Sequence, residues 1–283
     1  MKYISLCLLL LGVHLTYAQN FKVIKDEPKD CANLWINFEL LQFEVNMNNA
    51  RASNLGGGLS AIFQVKNRFG IEFAARHSYY QLHFKGTPRF QLEGGGFFNF
   101  AQFTKSKTRS LSGFKPNVKS LVSIGARAGY ASNKESLMDK PLVSGLGSQK
   151  YGGGDYKYQF GGLYAGLLFS GQRNYQISTA NGVKGYNILK RYYIDFLFYP
   201  TQILTDRSSG NLYPGFKPSP FGGRFGYERL YPEKKKNFGG ASYLKLEVGY
   251  RPVDGVYFML TYGISWKEKF GKLNGFVQER EKE

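Results

Sequence analysis

Three kinds of residue are scarce in this 283-residue sequence: cysteine with 2, histidine with 3, and acidic residues with 20 against 38 Lys and Arg. Long apolar runs are missing as well. Beyond the opening residues none approaches the ~18–20 positions that a membrane-spanning helix needs. Each shortage excludes something. Cys7 falls in an N-terminal leader and Cys31 is left alone, so no intrachain disulfide can form. His14 also falls in the leader, which leaves His77 and His83. No metal-ligand spacing appears. The triple glycines beginning at Gly56, Gly94 and Gly152 lack the Lys-Ser/Thr of a phosphate loop. Neither a metal nor a cofactor is expected.

What is present is equally one-sided. Phe 24, Tyr 21 and Trp 2 give 17% aromatics, and Gly numbers 35. Disordered chains are aromatic-poor and long helices are glycine-poor, so both are excluded. An all-β chain rich in turns remains. Met1-Lys2, the apolar stretch Ile4 to Leu15 and the small-residue exit Thr16-Tyr17-Ala18 read as a cleavable secretory signal peptide over residues 1–18. Cys7 lies too early in it for lipoprotein processing.

From Leu34 onward, segments alternate apolar with polar or small residues, the period of a strand. In Tyr243 to Arg251, Leu244, Leu246, Val248 and Tyr250 oppose Lys245, Glu247 and Arg251. In Val256 to Lys267, Val256, Phe258, Leu260, Tyr262, Ile264 and Trp266 oppose Tyr257, Thr261, Ser265 and Lys267. Pro252-Val253-Asp254-Gly255 joins the two as a hairpin. The same pattern recurs in Leu34–Leu40, Leu59–Lys66, Phe69–Arg76, Phe90–Phe100, Val118–Tyr130 and Tyr192–Phe198. Tyr156–Ser170 is ambiguous in phase and Phe221–Tyr231 is weaker. The count is about ten.

A soluble sandwich buries its apolar faces on each other, whereas a membrane barrel turns them to lipid and must close. The strands are long enough to cross a bilayer, at ~9–11 tilted residues. Aromatics near segment ends (Phe69, Tyr79, Tyr80, Phe90, Phe103, Tyr130, Tyr156, Tyr158, Tyr199, Tyr231 and Trp266) suit two interfacial girdles. The expected fold is therefore an all-β, closed antiparallel transmembrane β-barrel of about 8–10 strands. Residues 1–18 are its signal peptide, 19–33 a periplasmic lead-in, 34–268 the barrel and 269–283 a charged tail.

The Tyr17-Ala18-Gln19 exit and the Tyr/Phe/Gly-rich strands resemble small outer-membrane β-barrel proteins of Gram-negative bacteria, of the Bacteroidetes type. The resemblance covers nearly all of the mature chain in style and rests on no diagnostic motif. It implies a cell-envelope address in the bacterial outer membrane. One feature departs from the pattern: such barrels often end on a terminal aromatic, but here Trp266 is followed by Lys267 to Glu283.

A barrel this small has an interior filled by side chains. Glu39, Glu72, Arg76, Glu93, Arg127, Arg191, Asp195, Arg224, Glu228, Lys245 and Glu247 lie on the polar strand faces and are expected to face the lumen. Glu72/Arg76, Arg191/Asp195 and Arg224/Glu228 each stand four apart on one strand and are expected to pair with neighbouring strands as a plug. Topology is left open between eight and ten strands. Thr104–Asn117 and Gln172–Gly185 read as long loops on the side where turns should be short, and Phe221–Tyr231 is the first strand to drop.

The leading functional expectation is a non-enzymatic barrel with a filled lumen, structural or partner-binding, for example as an accessory to a surface or secretion assembly. The alternatives are a lipid A- or phospholipid-modifying enzyme using His77 or His83, and a narrow solute channel. His77 and Ser78 are sequence neighbours and so point to opposite sheet faces, a poor base–nucleophile pair. Asp139, Asp155 and Asp206 are scattered, which does not suit an acidic protease site. The excess positive charge suggests that Lys105, Lys107, Arg109 and Lys234, Lys235 and Lys236 contact anionic groups such as lipopolysaccharide phosphates. Outer-membrane lipid and an envelope protein are the expected partners, and nucleic acid is not.

Overall fold

The computed structural model describes residues 22–31, 33–47, 53–65, 67–81, 89–108, 117–138, 143–144, 149–150, 155–179, 182–206, 208–212, 218–230, 240–252 and 255–268. The signal peptide, His83, Arg109, Lys234, Lys235, Lys236, Tyr231 and the tail after Glu268 lie outside the described residues.

The strands in chain order are β1 Lys22–Asp26, β2 Leu34–Asn46, β3 Asn54–Val65, β4 Phe69–Gln81, β5 Phe90–Thr108, β6 Asn117–Met138, β7 Val143–Ser144, β8 Gln149–Lys150, β9 Asp155–Thr179, β10 Gly182–Asp206, β11 Phe221–Leu230, β12 Gly240–Arg251 and β13 Gly255–Glu268. A 3₁₀ turn spans Pro28–Asp30. Eleven strands form one sheet, and β6 also pairs with β9. That last pairing closes a ring of ten: β2-β3-β4-β5-β6-β9-β10-β11-β12-β13, back to β2. Every adjacent pair is antiparallel. The architecture is a closed antiparallel β-barrel.

The ring settles the strand number at ten and corrects several boundaries. Phe221–Leu230 is a full strand, paired along its length with β10 and β12. The expected loop at Gln172–Gly185 is instead a continuation of β9 and β10 into a tight hairpin, with Gly182 at φ +100°. The expected loop at Thr104–Asn117 is half strand, because β5 runs to Thr108 against β6. Lys105 and Lys107 are therefore exposed strand residues. Both hairpins look like loops in sequence because they leave the barrel wall. Once no lipid faces them, their apolar alternation lapses while the backbone ladder continues.

β2 begins and β13 ends at the same end of the barrel, here called the terminal end. The lead-in belongs to the fold there. β1 adds to β9 from Lys22↔Ser178 to Asp26↔Tyr175. The Asp26 carboxylate accepts the backbone N–H of Lys119 at 2.8 Å, which ties β1 to β6. Val23 and Tyr186 pack on Val118, Tyr175 and Ile177, a small core outside the ring. Val118, expected on the apolar wall, is buried in this cluster. Asn67, in the β3–β4 turn at φ +58°, a value asparagine tolerates, donates to the Lys29 carbonyl at 3.0 Å.

The outside of the ring inverts a soluble protein. Ile71, Phe73, Phe100, Leu163, Ile194 and Phe196 are 49–64% exposed in mid-strand. The polar residues between them are buried. Of the expected girdle, Phe69, Tyr79, Tyr80, Phe90, Phe103, Tyr130 and Trp266 are exposed. Tyr156, Tyr158 and Tyr199 are not: they cluster inside with Phe160, Tyr164 and Leu204. A register shift in β10 between Phe198 and Thr201 reverses which parity faces in, a switch that no residue pattern announces. In β2 the ladder skips Leu40, so Leu40 and Leu41 both face out at 56% and 42% exposure.

Candidate functional site: the filled lumen

The inward face is built in layers. At the terminal end an apolar floor joins Trp35, Ile62, Phe97, Leu168, Leu189, Leu230 and Tyr243. Cys31 of the lead-in completes it, with its thiol 2.6 Å from Asn187 Oδ1. The middle is a charged layer. The opposite end carries Glu44, held by Arg251 at 2.8 Å and by Arg89, with the aromatic cluster of Tyr156, Tyr158, Phe160 and Tyr199 beside it.

In the charged layer, Glu39, Arg76, Glu93, Arg127, Arg191, Asp195, Arg224, Glu228, Lys245 and Glu247 are all buried, and the Glu72 side chain is 9% exposed. Neighbouring strands supply some pairs: Arg191–Glu228 at 2.9 Å and Arg224–Asp195 at 2.7 Å, both between β10 and β11. Arg76 grips Glu39 with two nitrogens, at 2.6 and 3.0 Å. Other pairs cross the ring. Arg224 of β11 binds both oxygens of Glu93 on β5, at 2.5 and 3.0 Å. Arg191 of β10 reaches Glu72 of β4 at 2.5 Å. Three strands separate the partners by the shorter path in each case. Side chains from opposite walls can hydrogen-bond directly only where no open bore lies between them.

Tyrosines separate the like charges. The guanidinium of Arg127 lies 4.1 Å from the Tyr193 ring centre and 4.9 Å from that of Tyr164. Arg224 lies 4.8 Å from the Tyr164 centre. A quadrupolar ring face attracts both cations. The Tyr193 and Tyr257 hydroxyls donate to Glu247 at 2.5 and 2.7 Å, and Lys245 sits 3.2 Å from the same carboxylate. Gly226 makes room for this, since a Cβ there would collide with the Tyr193 ring. Across the described lumen, seven cations (Arg76, Arg89, Arg127, Arg191, Arg224, Lys245, Arg251) face eight anions (Glu39, Glu44, Glu72, Glu93, Glu135, Asp195, Glu228, Glu247), a net of −1. The rest of the chain therefore carries a formal +19.

Sequence reasoning did not place Glu44, Arg89, Glu135 or the tyrosines Tyr164, Tyr193 and Tyr257 in this site. Glu44 has the opposite parity to Glu39 because the bulge at Leu40 intervenes. Arg89 and Glu135 fall in text that reads as loop.

His77 is exposed on the outer wall while Ser78 is buried, its hydroxyl accepting the Arg89 backbone N–H at 2.8 Å. The two do not meet. Asp206 ends β10, where it accepts hydrogen bonds from the Ser208 N–H and hydroxyl at 2.8 and 2.6 Å. These donors, with the Ser209 N–H, hold its carboxyl below the usual range. Among the described residues no group of three His, Cys, Asp or Glu side chains could hold a metal.

No protein-family model and no curated protein matches the sequence. Solved structures similar to the chain include outer-membrane proteins. A loop L8 deletion mutant of OmpT from Vibrio cholerae is 10% identical over 84% of this chain and 100% of its own, with a TM-score of 0.20. Outer-membrane expressed OmpT of the same organism is 8% identical over 87% and 100%, also at 0.20. Likeness this low carries no argument about mechanism, and nothing in it supports the Bacteroidetes type.

Proposed function

We propose that this chain is an integral outer-membrane β-barrel with a sealed lumen, acting as a non-enzymatic structural or partner-binding component of the cell envelope. The observation that carries the reading is the pair of cross-lumen contacts, Arg224–Glu93 and Arg191–Glu72, inside a ring whose outer wall is apolar. Bacterial barrels with an even number of strands keep short turns in the periplasm and longer loops outside. The longer connections 139–154 and 207–220 lie opposite the terminal end, which argues for a periplasmic terminal end. Lys105 and Lys107, on the part of β5 that overhangs that end, then face the periplasm. That placement suits a periplasmic or inner-leaflet anionic group better than lipopolysaccharide. β1 and the overhanging β5–β6 and β9–β10 hairpins would offer a surface to an envelope partner.

Purified chain reconstituted in planar bilayers is expected to show no steady large conductance. Persistent ohmic openings would refute the sealed lumen. Replacing His77 and His83 with Ala together is expected to leave lipid A and phospholipid profiles unchanged by mass spectrometry. A change in acylation would instead favour the enzyme reading.

A further inference from the structure

Beyond the ring, the β9–β10 hairpin forms a three-stranded sheet with β1, and its two edges are finished differently. On the β9 side, β1 pairs from Lys22↔Ser178 to Asp26↔Tyr175 and covers the edge. On the β10 side, pairing with β11 begins only at Leu189↔Leu230. Residues 183–187 therefore have β9 on one side and, among the described residues, no strand on the other. At ~3.4 Å per residue that edge is about 17 Å long. It matches in length the five-residue strand that covers the opposite edge.

Sheet edges in contact with water are commonly blunted by proline, by bulges or by several charges. Here the β9–β10 ladder runs without a register shift from Gly182 to Phe198, the edge sequence has no proline, and its one charged residue is Lys184. The edge strand is also anchored: the Tyr186 ring stacks on Tyr175 at 4.9 Å and 14° and packs with Val118 and Ile177. An ordered, straight edge is a template for one more strand. Charge selects the kind of strand. No Asp or Glu lies between Glu93 and Glu135 or between Asp155 and Asp195, so both overhanging hairpins are purely basic, with Lys105, Lys107 and Lys119 exposed. The nearby acids of the lead-in are engaged, Asp26 by the Lys119 N–H and Glu27 by Lys25 at 3.2 Å. A second copy of this chain would bring basic hairpins against each other, which is unfavourable, whereas an acidic strand is drawn in.

We propose that residues 183–187 of β10 bind an extended, acidic segment of another periplasmic protein by strand addition. The segment lies antiparallel to β10, in line with β11, and supplies the backbone partners that β11 supplies from Leu189 onward. Its affinity comes from that ladder and from an apolar residue opposite Tyr186, and its selectivity from acidic residues that meet the basic hairpins. The inference deepens the partner-binding reading above and rests on its periplasmic terminal end.

The test uses the full mature chain in phosphatidylcholine nanodiscs. The probe is a labelled, end-blocked heptapeptide with Glu and Val alternating on one face and Thr on the other. Binding is read by fluorescence anisotropy and located by hydrogen exchange. The peptide is expected to bind and to slow exchange at residues 183–187, leaving the β5–β6 hairpin unchanged. Two further peptides are N-methylated at odd or at even positions. An added strand pairs through one edge only, so one of them is expected to bind at least about tenfold more weakly, having lost several backbone hydrogen bonds, and the other to bind as the parent does. A peptide with Lys for Glu is expected to bind weakly to the wild type and better to K105E/K107E/K119E. Equal binding by the two methylated peptides, equal binding of the Lys and Glu peptides to the wild type, or protection elsewhere on the barrel would overturn the proposal. So would protection of the same amides by phosphatidylglycerol vesicles without peptide, since the edge would then meet a membrane. If the chain failed to enter lipid and stayed folded in plain buffer, the membrane reading would fall, while the same peptides would still test the edge.

Discussion

Glu93→Gln is expected to cost about 3–5 kcal/mol of folding stability, the largest effect of any conservative substitution in this chain. Glu93 accepts two hydrogen bonds from Arg224 and lies 3.2 Å from Arg127 and 3.8 Å from Arg76. All three guanidiniums are buried, and although each keeps a second carboxylate (Arg76–Glu39, Arg127–Glu72, Arg224–Asp195), removing Glu93 leaves the layer with excess positive charge that water cannot reach. The amide keeps the shape, which separates lost charge from lost packing. Urea titration of barrel folded in detergent, followed by tryptophan fluorescence, reads the midpoint. The double variant Glu93→Leu with Arg224→Met removes both members of the cross-lumen pair and is expected to recover part of the loss. A midpoint unchanged by E93Q would show that the charged layer is hydrated and that the lumen is open there.

The lumen charges were legible for a simple reason. Glu39, Glu72, Glu93, Arg127, Arg191 and Glu247 interrupt apolar alternation, and a closed small ring has only one place to bury such faces. Their partners were not legible. Arg224 was expected to pair with neighbouring strands, and it does so with Asp195, but its bidentate contact is across the ring. Which walls face each other depends on strand order and tilt, quantities that no single strand encodes. Parity failed at the bulges in β2 and β10, where one inserted residue turns Glu44 inward and Leu41 outward. The ends of β9 and β10 failed for another reason. Within the wall each strand is marked by lipid on one side and lumen on the other, but in the overhang β1 pairs with the edge of β9 and Val23 packs on Val118, Tyr175 and Ile177 instead.

Phe73→Arg is the second substitution with a large expected effect. Phe73 is 49% exposed, midway along β4 between the exposed Phe69 and Tyr79. On a soluble protein an exposed Phe→Arg change is usually within about 0.5 kcal/mol of neutral. In a bilayer the guanidinium is carried to the hydrocarbon midplane, where it costs about 2–4 kcal/mol. Unfolding from phosphatidylcholine vesicles is expected to show that penalty. Lys105→Arg, which carries the same guanidinium on a strand residue beyond the wall, is expected to be neutral. A neutral Phe73→Arg would mean that the apolar wall meets protein or water rather than lipid.

The proposed barrel has lipid outside and a dry, filled interior, and the chain's two tryptophans report the two sides separately. Trp266 is 40% exposed on the outer wall and Trp35 is 0% exposed in the apolar floor. The direct measurement is fluorescence quenching of W35F and W266F chains in vesicles of lipid brominated along its acyl chains. The expected result is strong quenching of the Trp266 that remains in W35F, and little quenching of the Trp35 that remains in W266F. Equal quenching of both, or of neither, would contradict the account.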